Sequence, residues 1–194
     1  MSLRPEQERA LAYIQHKGTE GRLEEIRLRV THTFQELLGQ LDDLDSETAR
    51  RRPPSGGWCV QEVVDHLVVS NRPAAEQLRS LLRGQRPPGG PVPASLQSAN
   101  PLGQAWDDAR ADLGGVQSDI AYQLATANDS FTTTARAPVM MVVKVKNDAG
   151  VLEPLEWEQD FDWKAFALLL RVHTQEHILQ VRRILKELEG ASPC

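Results

Sequence analysis

Arg171-Val172-His173-Thr174-Gln175-Glu176-His177 lies in a helical pattern that runs from about Asp162 to Leu188 with no Gly or Pro inside it. At about 100° per residue, Phe166, Leu170, His173, His177, Gln180, Ile184 and Leu188 fall on one narrow stripe. The apolar members are ordinary for the buried face of a packed helix. The two histidines interrupt that face one turn apart, about 40° from each other around the axis. Two imidazoles so placed can converge on one metal ion. A core histidine is more often simply hydrogen-bonded to a neighbour, and such pairs also arise by chance. Here, however, two rings would need partners for four nitrogens in an apolar seam, and a cation satisfies two at once. A third ligand elsewhere decides the matter.

The chain has 194 residues, enough for one domain with a substantial core. Its 27 acidic residues outnumber its 22 basic ones, and no Lys/Arg block stands out, which argues against nucleic acid as a partner. No apolar run approaches the ~20 residues of a membrane span. Met1-Ser2-Leu3-Arg4-Pro5-Glu6 lacks the basic-then-apolar order of a secretion signal. Two cysteines, Cys59 and Cys194, make no disulfide framework. The expectation is a cytoplasmic globular protein with a small-molecule partner, formed by residues 1–194 as a single domain.

Outward from the histidine helix, the chain reads as further helices. A short one spans about 5–17, with Leu11 and Ile14 apolar and Gly18 ending it. A longer one spans about Gly21 to Leu44, with Leu23, Ile26, Val30, Phe34, Leu37 and Leu41 on one face. His16 and His32 fall outside the apolar stripes and read as surface residues. Arg50 to Gly57 reads as a loop whose three arginines are either solvated or face an anion. A helix then opens at Cys59, with Glu62 in capping-box position, and carries Val63, Val64, Leu67, Ala74, Leu78 and Leu81. His66 sits at the border of that face, and Pro73 is expected to kink or break the helix. Gly84 to Gly103, nine of whose twenty residues are Pro or Gly, either crosses between helix ends or lids a pocket. Helical pattern returns to about Ala127, weakened in the middle by Gly114-Gly115. Pro138 to Lys146 looks like a strand and Asn147 to Gly150 like a turn, as a small β-hairpin or an extended loop. The fold class is all-α: a four-helix bundle over about 21–188 with a long crossover.

In a bundle whose helix axes lie ~8–10 Å apart, His66 can reach a pair on another helix. Trp58-Cys59-Val60-Gln61-Glu62-Val63-Val64-Asp65-His66-Leu67 resembles the W-S-x-x-E-x-x-x-H-L signature of the DinB/YfiT superfamily. His173-x-x-x-His177 followed by Gln180 resembles its closing H-x-x-x-H-x-x-Q helix. Cys59 departs from the usual Ser, which touches the cap and not the histidines. The resemblance implies a four-helix bundle, often homodimeric, holding a divalent metal by His66, His173 and His177, with zinc or nickel in many members. It also implies thiol-dependent S-transfer or isomerisation with mycothiol, bacillithiol or glutathione as cosubstrate, or metal-dependent hydrolysis. Three neutral imidazoles with an open position suit catalytic use, activating either a water or a thiol. The competing reading is a non-enzymatic bundle in which the metal stabilises the fold or an interaction surface.

Three further residues are weak catalytic candidates. His173-Thr174-Gln175-Glu176-His177 also spells the H-x-x-E-H pattern of inverted zinc proteases, which would make Glu176 a general base. Only 17 residues follow His177, and none of them is His. Glu62, one turn before His66, either caps its helix or orients that ring. Gln180, on the histidine stripe, suits a hydrogen bond to a ligand ring or to substrate. Cys59, at a helix start, is read as a small buried cap residue in preference to a reactive thiol.

Overall fold

The computed structural model describes residues 3–147 and 150–190. The chain is mostly helical, with one two-stranded antiparallel sheet. In order come α1 (Pro5–Ile14), a π-helical turn (Gln15–Thr19), α2 (Leu23–Leu41), α3 (Ser46–Arg50), α4 (Val60–Leu82) and α5 (Trp106–Thr126). The strands β1 (Ala137–Lys146) and β2 (Leu152–Phe161) follow, then α6 (Trp163–Gly190). Helix starts are set by local oxygens that satisfy free N–H groups. Asp45 Oδ1 accepts from Thr48 N at 2.7 Å to start α3. Glu62 Oε2 accepts from Cys59 N at 2.8 Å at the start of α4. Asp162 Oδ1 accepts from Lys164 N and Ala165 N, both at 3.0 Å, at the start of α6.

Several boundaries differ from expectation. The helix read to Leu44 stops at Leu41, because the Asp45 cap starts α3, and Arg50 closes that helix instead of opening a loop. α1 does not end at Gly18 but widens into the π-helical turn. Pro73 does not break α4; it lies on the exposed side of the helix, next to a half-exposed Val69, so water can reach the carbonyl it leaves unpaired. The hairpin is real, with Ala137 opposite Phe161 and Lys146 opposite Leu152. Its turn is closed by Gly150 N donating to Asn147 O at 2.8 Å, with Gly150 at φ +76°. Asp148 and Ala149 of that expected turn lie outside the described residues, as do Met1, Ser2 and Cys194.

α2 packs against α5 and α6, and α4 packs against the same two. The apolar interior falls into two clusters along the helix axes. One joins the N-terminal halves of α2 and α6 (Ile26, Val30, Phe166) to the C-terminal halves of α4 and α5 (Leu78, Leu81, Ile120). The other joins Leu37 and Leu41 of α2 and Ile178 and Ile184 of α6 to Val64 of α4 and Leu113 of α5. It follows that α4 and α5 run parallel to each other and antiparallel to α2 and α6. Consecutive parallel helices need a connection as long as a helix, and residues 83–105 supply it. This segment descends along α4 as a strap: Gly90 O accepts from Gln77 Nε2, Ser98 N donates to Asp65 Oδ2, and Gln104 O accepts from Gln61 Nε2. A third cluster, Ile14, Met141, Phe161, Ala165 and Leu168, fixes α1 and the hairpin to α6. No helix among the described residues is long and apolar enough to cross a membrane.

Two glycines make opposite predictions. A Cβ on Gly18 would stand 2.7 Å from the Ala165 Cα, a backbone atom that cannot move aside, whereas a Cβ on Gly39 of α2 would meet nothing within 4 Å. Gly18→Ala is expected to lower stability by about 1–3 kcal/mol, and Gly39→Ala to raise it by about 0.5–1 kcal/mol. Urea unfolding of both variants checks the signs; equal effects would contradict the close packing of the π-helical turn on α6.

Candidate metal centre

The gap between the two main apolar clusters is where the histidines meet. On α6 it lies between Leu170, in one cluster, and Ile178, in the other. On α4 it lies between Val68 and Ala74, just past His66, which is 1 % exposed. His66 Nε2 stands 3.0 Å from His173 Nε2, and His177 Nε2 stands 3.1 Å from the same atom. One ring nitrogen from each of the three lies within 4.8 Å of the others. The three ring centroids are 4.6 to 5.1 Å apart. His66 is fully buried, while His173 and His177 are half-buried, so the cluster is buried on the α4 side and more open on the α6 side.

Two hydrogen bonds decide which nitrogens carry protons. His66 Nδ1 lies 2.6 Å from the Leu96 carbonyl oxygen, which can only accept, so Nδ1 donates. His177 Nδ1 likewise donates to Gln180 Oε1 at 2.8 Å. In the neutral rings both Nε2 atoms are therefore left with lone pairs, directed at His173. Two short N···N contacts at His173 Nε2 share at most one proton, so one of them joins two nitrogens with no hydrogen between. A cation removes that repulsion. A tetrahedral zinc ion with Zn–N of ~2.0–2.1 Å spaces its nitrogens about 3.3–3.4 Å apart, a few tenths of an ångström wider than these contacts. The donor set thus fits a divalent ion.

The electrostatics favour the same state. Burial, followed by the neighbouring rings His177 and His66, pushes the His173 pKa well below the usual imidazole value. His177 is pushed down to about 4 by burial and by His66, against the opposing bond to Gln180. His66 is lowered by burial, against the Leu96 carbonyl and Asp65. All three rings are neutral at pH 7, the protonation state that binds metal. No His, Cys, Asp or Glu among the described residues joins them as a fourth ligand.

The weaker candidates separate. Gln180 orients His177. Glu62 caps α4 through Cys59 N and accepts from Arg52 Nη2 at 2.5 Å, so its carboxylate is committed on both oxygens. Glu176 is exposed and makes no hydrogen bond or ion pair among the described residues. The buried Cys59 thiol is raised, chiefly by burial, which makes it a packing residue. His16 and His32 are exposed and stand apart from the cluster. Of the three arginines, Arg50 binds Gln61 and the carbonyls of Leu102 and Gln104, and Arg52 binds Gly57 O and Glu62. Two elements of the site escaped sequence reasoning. The Leu96 carbonyl is a backbone group whose position depends on the strap, so no side-chain pattern reveals it. The other is Trp58, whose ring lies 5.2 Å from the His66 ring; its place eight residues before His66 in the quoted motif was the available signal.

The family model described as DinB superfamily matches residues 29–181. That span contains all three histidines, the strap and the hairpin. No curated protein and no solved structure matches the chain.

The lowered imidazole pKa values predict a sign. Below about pH 6.5 the unfolded chain takes up protons that the folded, metal-free protein refuses, so stability falls as pH drops from there towards about 4. Above that window the three rings contribute no slope. Urea midpoints in chelator for the native chain and for His177→Gln separate this from carboxylate titration; the variant's dependence is expected to be shallower. Identical profiles would show that His177 is not held neutral.

Proposed function

The chain belongs to the DinB superfamily, and from that premise we propose that it is a metal-dependent enzyme acting on a small molecule. His66, His173 and His177 hold a divalent ion, zinc or nickel. The reaction is thiol-dependent S-transfer or isomerisation, with hydrolysis the alternative chemistry at the same centre. The proposal includes a four-helix bundle forming one domain, a reading supported by the closed ring of packing between α2, α5, α4 and α6, and a cytoplasmic homodimer.

One observation carries the reading. Three ring nitrogens converge in a neutral state with no fourth protein ligand among the described residues, the pattern of open zinc sites rather than closed structural ones. When bound there, the ion supplies Lewis-acid activation of a water or a thiol. The protein's own contribution is orientation. Leu96 O and Gln180 Oε1 lock two rings with their Nε2 atoms inward. The strap is held to α4 by Gln97 Nε2 donating to Glu62 O at 3.2 Å and by Ser98 N at Asp65, and it shields His66 from bulk water. A groove of about 550 Å³ between strap and α4, lined by Pro73, Gln77, Pro91 and Val92, reaches Leu96, the residue whose carbonyl holds His66, while the three histidines themselves do not line it. That volume suits a small organic molecule.

Elemental analysis of purified variants tests the ligand set. His66→Ala, His173→Ala and His177→Ala are each expected to lose metal, while His16→Ala and His32→Ala keep it. Gln180→Leu is expected to weaken metal binding by about 10–100-fold. Retention in the first three, or loss in the second two, overturns the assignment. Metal-loaded protein is then assayed with mycothiol, bacillithiol and glutathione against small electrophiles. Turnover that chelation abolishes without lowering Tm supports the enzyme. Chelation that unfolds a protein active with no thiol and no ester favours a metal-stabilised interaction module.

A further inference from the structure

We propose a second binding site, for a small oxyanion, on the outer groove between α2 and α6. The chain as a whole is acidic, with a formal net charge of −5. Against that background, Leu28, Arg29, His32 and Thr33 of α2 and Arg171 of α6 line a concavity of about 230 Å³. Arg171 lies about 200° around α6 from His173, so this groove opens on the opposite side of the helix from the histidine cluster.

The argument rests on a guanidinium without a counterion. Arg171 is half-buried, and no carboxylate pairs with it among the described residues. Its one side-chain hydrogen bond runs from Nη2 to the amide oxygen of Gln175 at a long 3.4 Å, and its Nε is buried with no partner. A partly desolvated cation with five donors and one weak acceptor is costly unless something anionic completes it. Arg29 offers a second guanidinium, only loosely engaged by Glu25 at 4.0 Å. His32 is exposed, and Thr33, 2 % exposed, sits at the inner wall.

Arg29 and Arg171 both line this concavity, and a pair of guanidinium forks matches the paired oxygens of a carboxylate or a phosphate. The ligand class is therefore the anionic end of a small metabolite. A long polyanion is not favoured, because the chain carries an excess of negative charge that repels one.

The test is calorimetric titration of the whole protein with inorganic phosphate and, separately, with acetate at constant ionic strength. Saturable binding of at least one is expected, and which one binds distinguishes the phosphate from the carboxylate class. Arg171→Gln and Arg29→Gln are each expected to weaken it at least fivefold; Arg29→Gln, at a side chain 40 % exposed on α2, keeps the test decisive should Arg171→Gln fold poorly. His66→Ala, which disrupts the metal centre, is expected to leave binding unchanged. Absence of saturable binding by both anions, indifference to Arg29→Gln, or loss in His66→Ala would each overturn the proposal, the last by moving the anion to the histidines.

Discussion

Three imidazole rings inside a helical interior impose a constraint that the surrounding structure obeys. Each ring needs a partner for both nitrogens, and water is excluded from the His66 side. Leu96 and Gln180 take one nitrogen of two rings, and the remaining Nε2 atoms have only each other. Contacts of 3.0 and 3.1 Å between nitrogens that share at most one proton are tolerable as a vestibule for a cation and poor as a hydrogen-bonded core. The apolar interior gives way accordingly, dividing into one cluster on either side of the histidine level.

The strap answers the same constraint from outside. Because α4 and α5 run parallel, the chain must return the length of a helix between them, and it does so along α4, over His66. Its Pro- and Gly-rich composition suits an extended path with few internal hydrogen bonds, leaving carbonyls such as Leu96 O free to accept from side chains. A topological necessity thereby becomes the group that sets the tautomer of His66. Arg50 reinforces the arrangement from the far end, binding the carbonyls of Leu102 and Gln104 where the strap enters α5.

Charge is distributed unevenly around this frame. About half of the arginines are matched to nearby carboxylates, as in Arg79 with Glu76 and Asp119 or Arg182 with Glu36. These pairs contribute modestly to stability. Arg171 is one of those with no carboxylate partner among the described residues, two positions before the first α6 histidine yet turned away from it. One helix thus presents neutral imidazoles to the interior and an unmatched cation to the outer groove.

Periodicity alone determined a good deal about this protein. The stripe on α6 marked His173 and His177 as one pair and the apolar spacing located four long helices, while the third ring, His66, rested on the resemblance of residues 58–67 to a family motif. Those features are local, repeating with the helix itself, and so survive in a linear text. Tertiary structure decided the rest. The end of α2 at Leu41, the passage of α4 through Pro73 and the π-helical turn at Gly18 depend on caps, exposure and the approach of Ala165. Which nitrogen of His66 faces inward depends on a backbone carbonyl 30 residues away. Such a group carries no residue signature, because every residue has one; only the path of the chain assigns it a role.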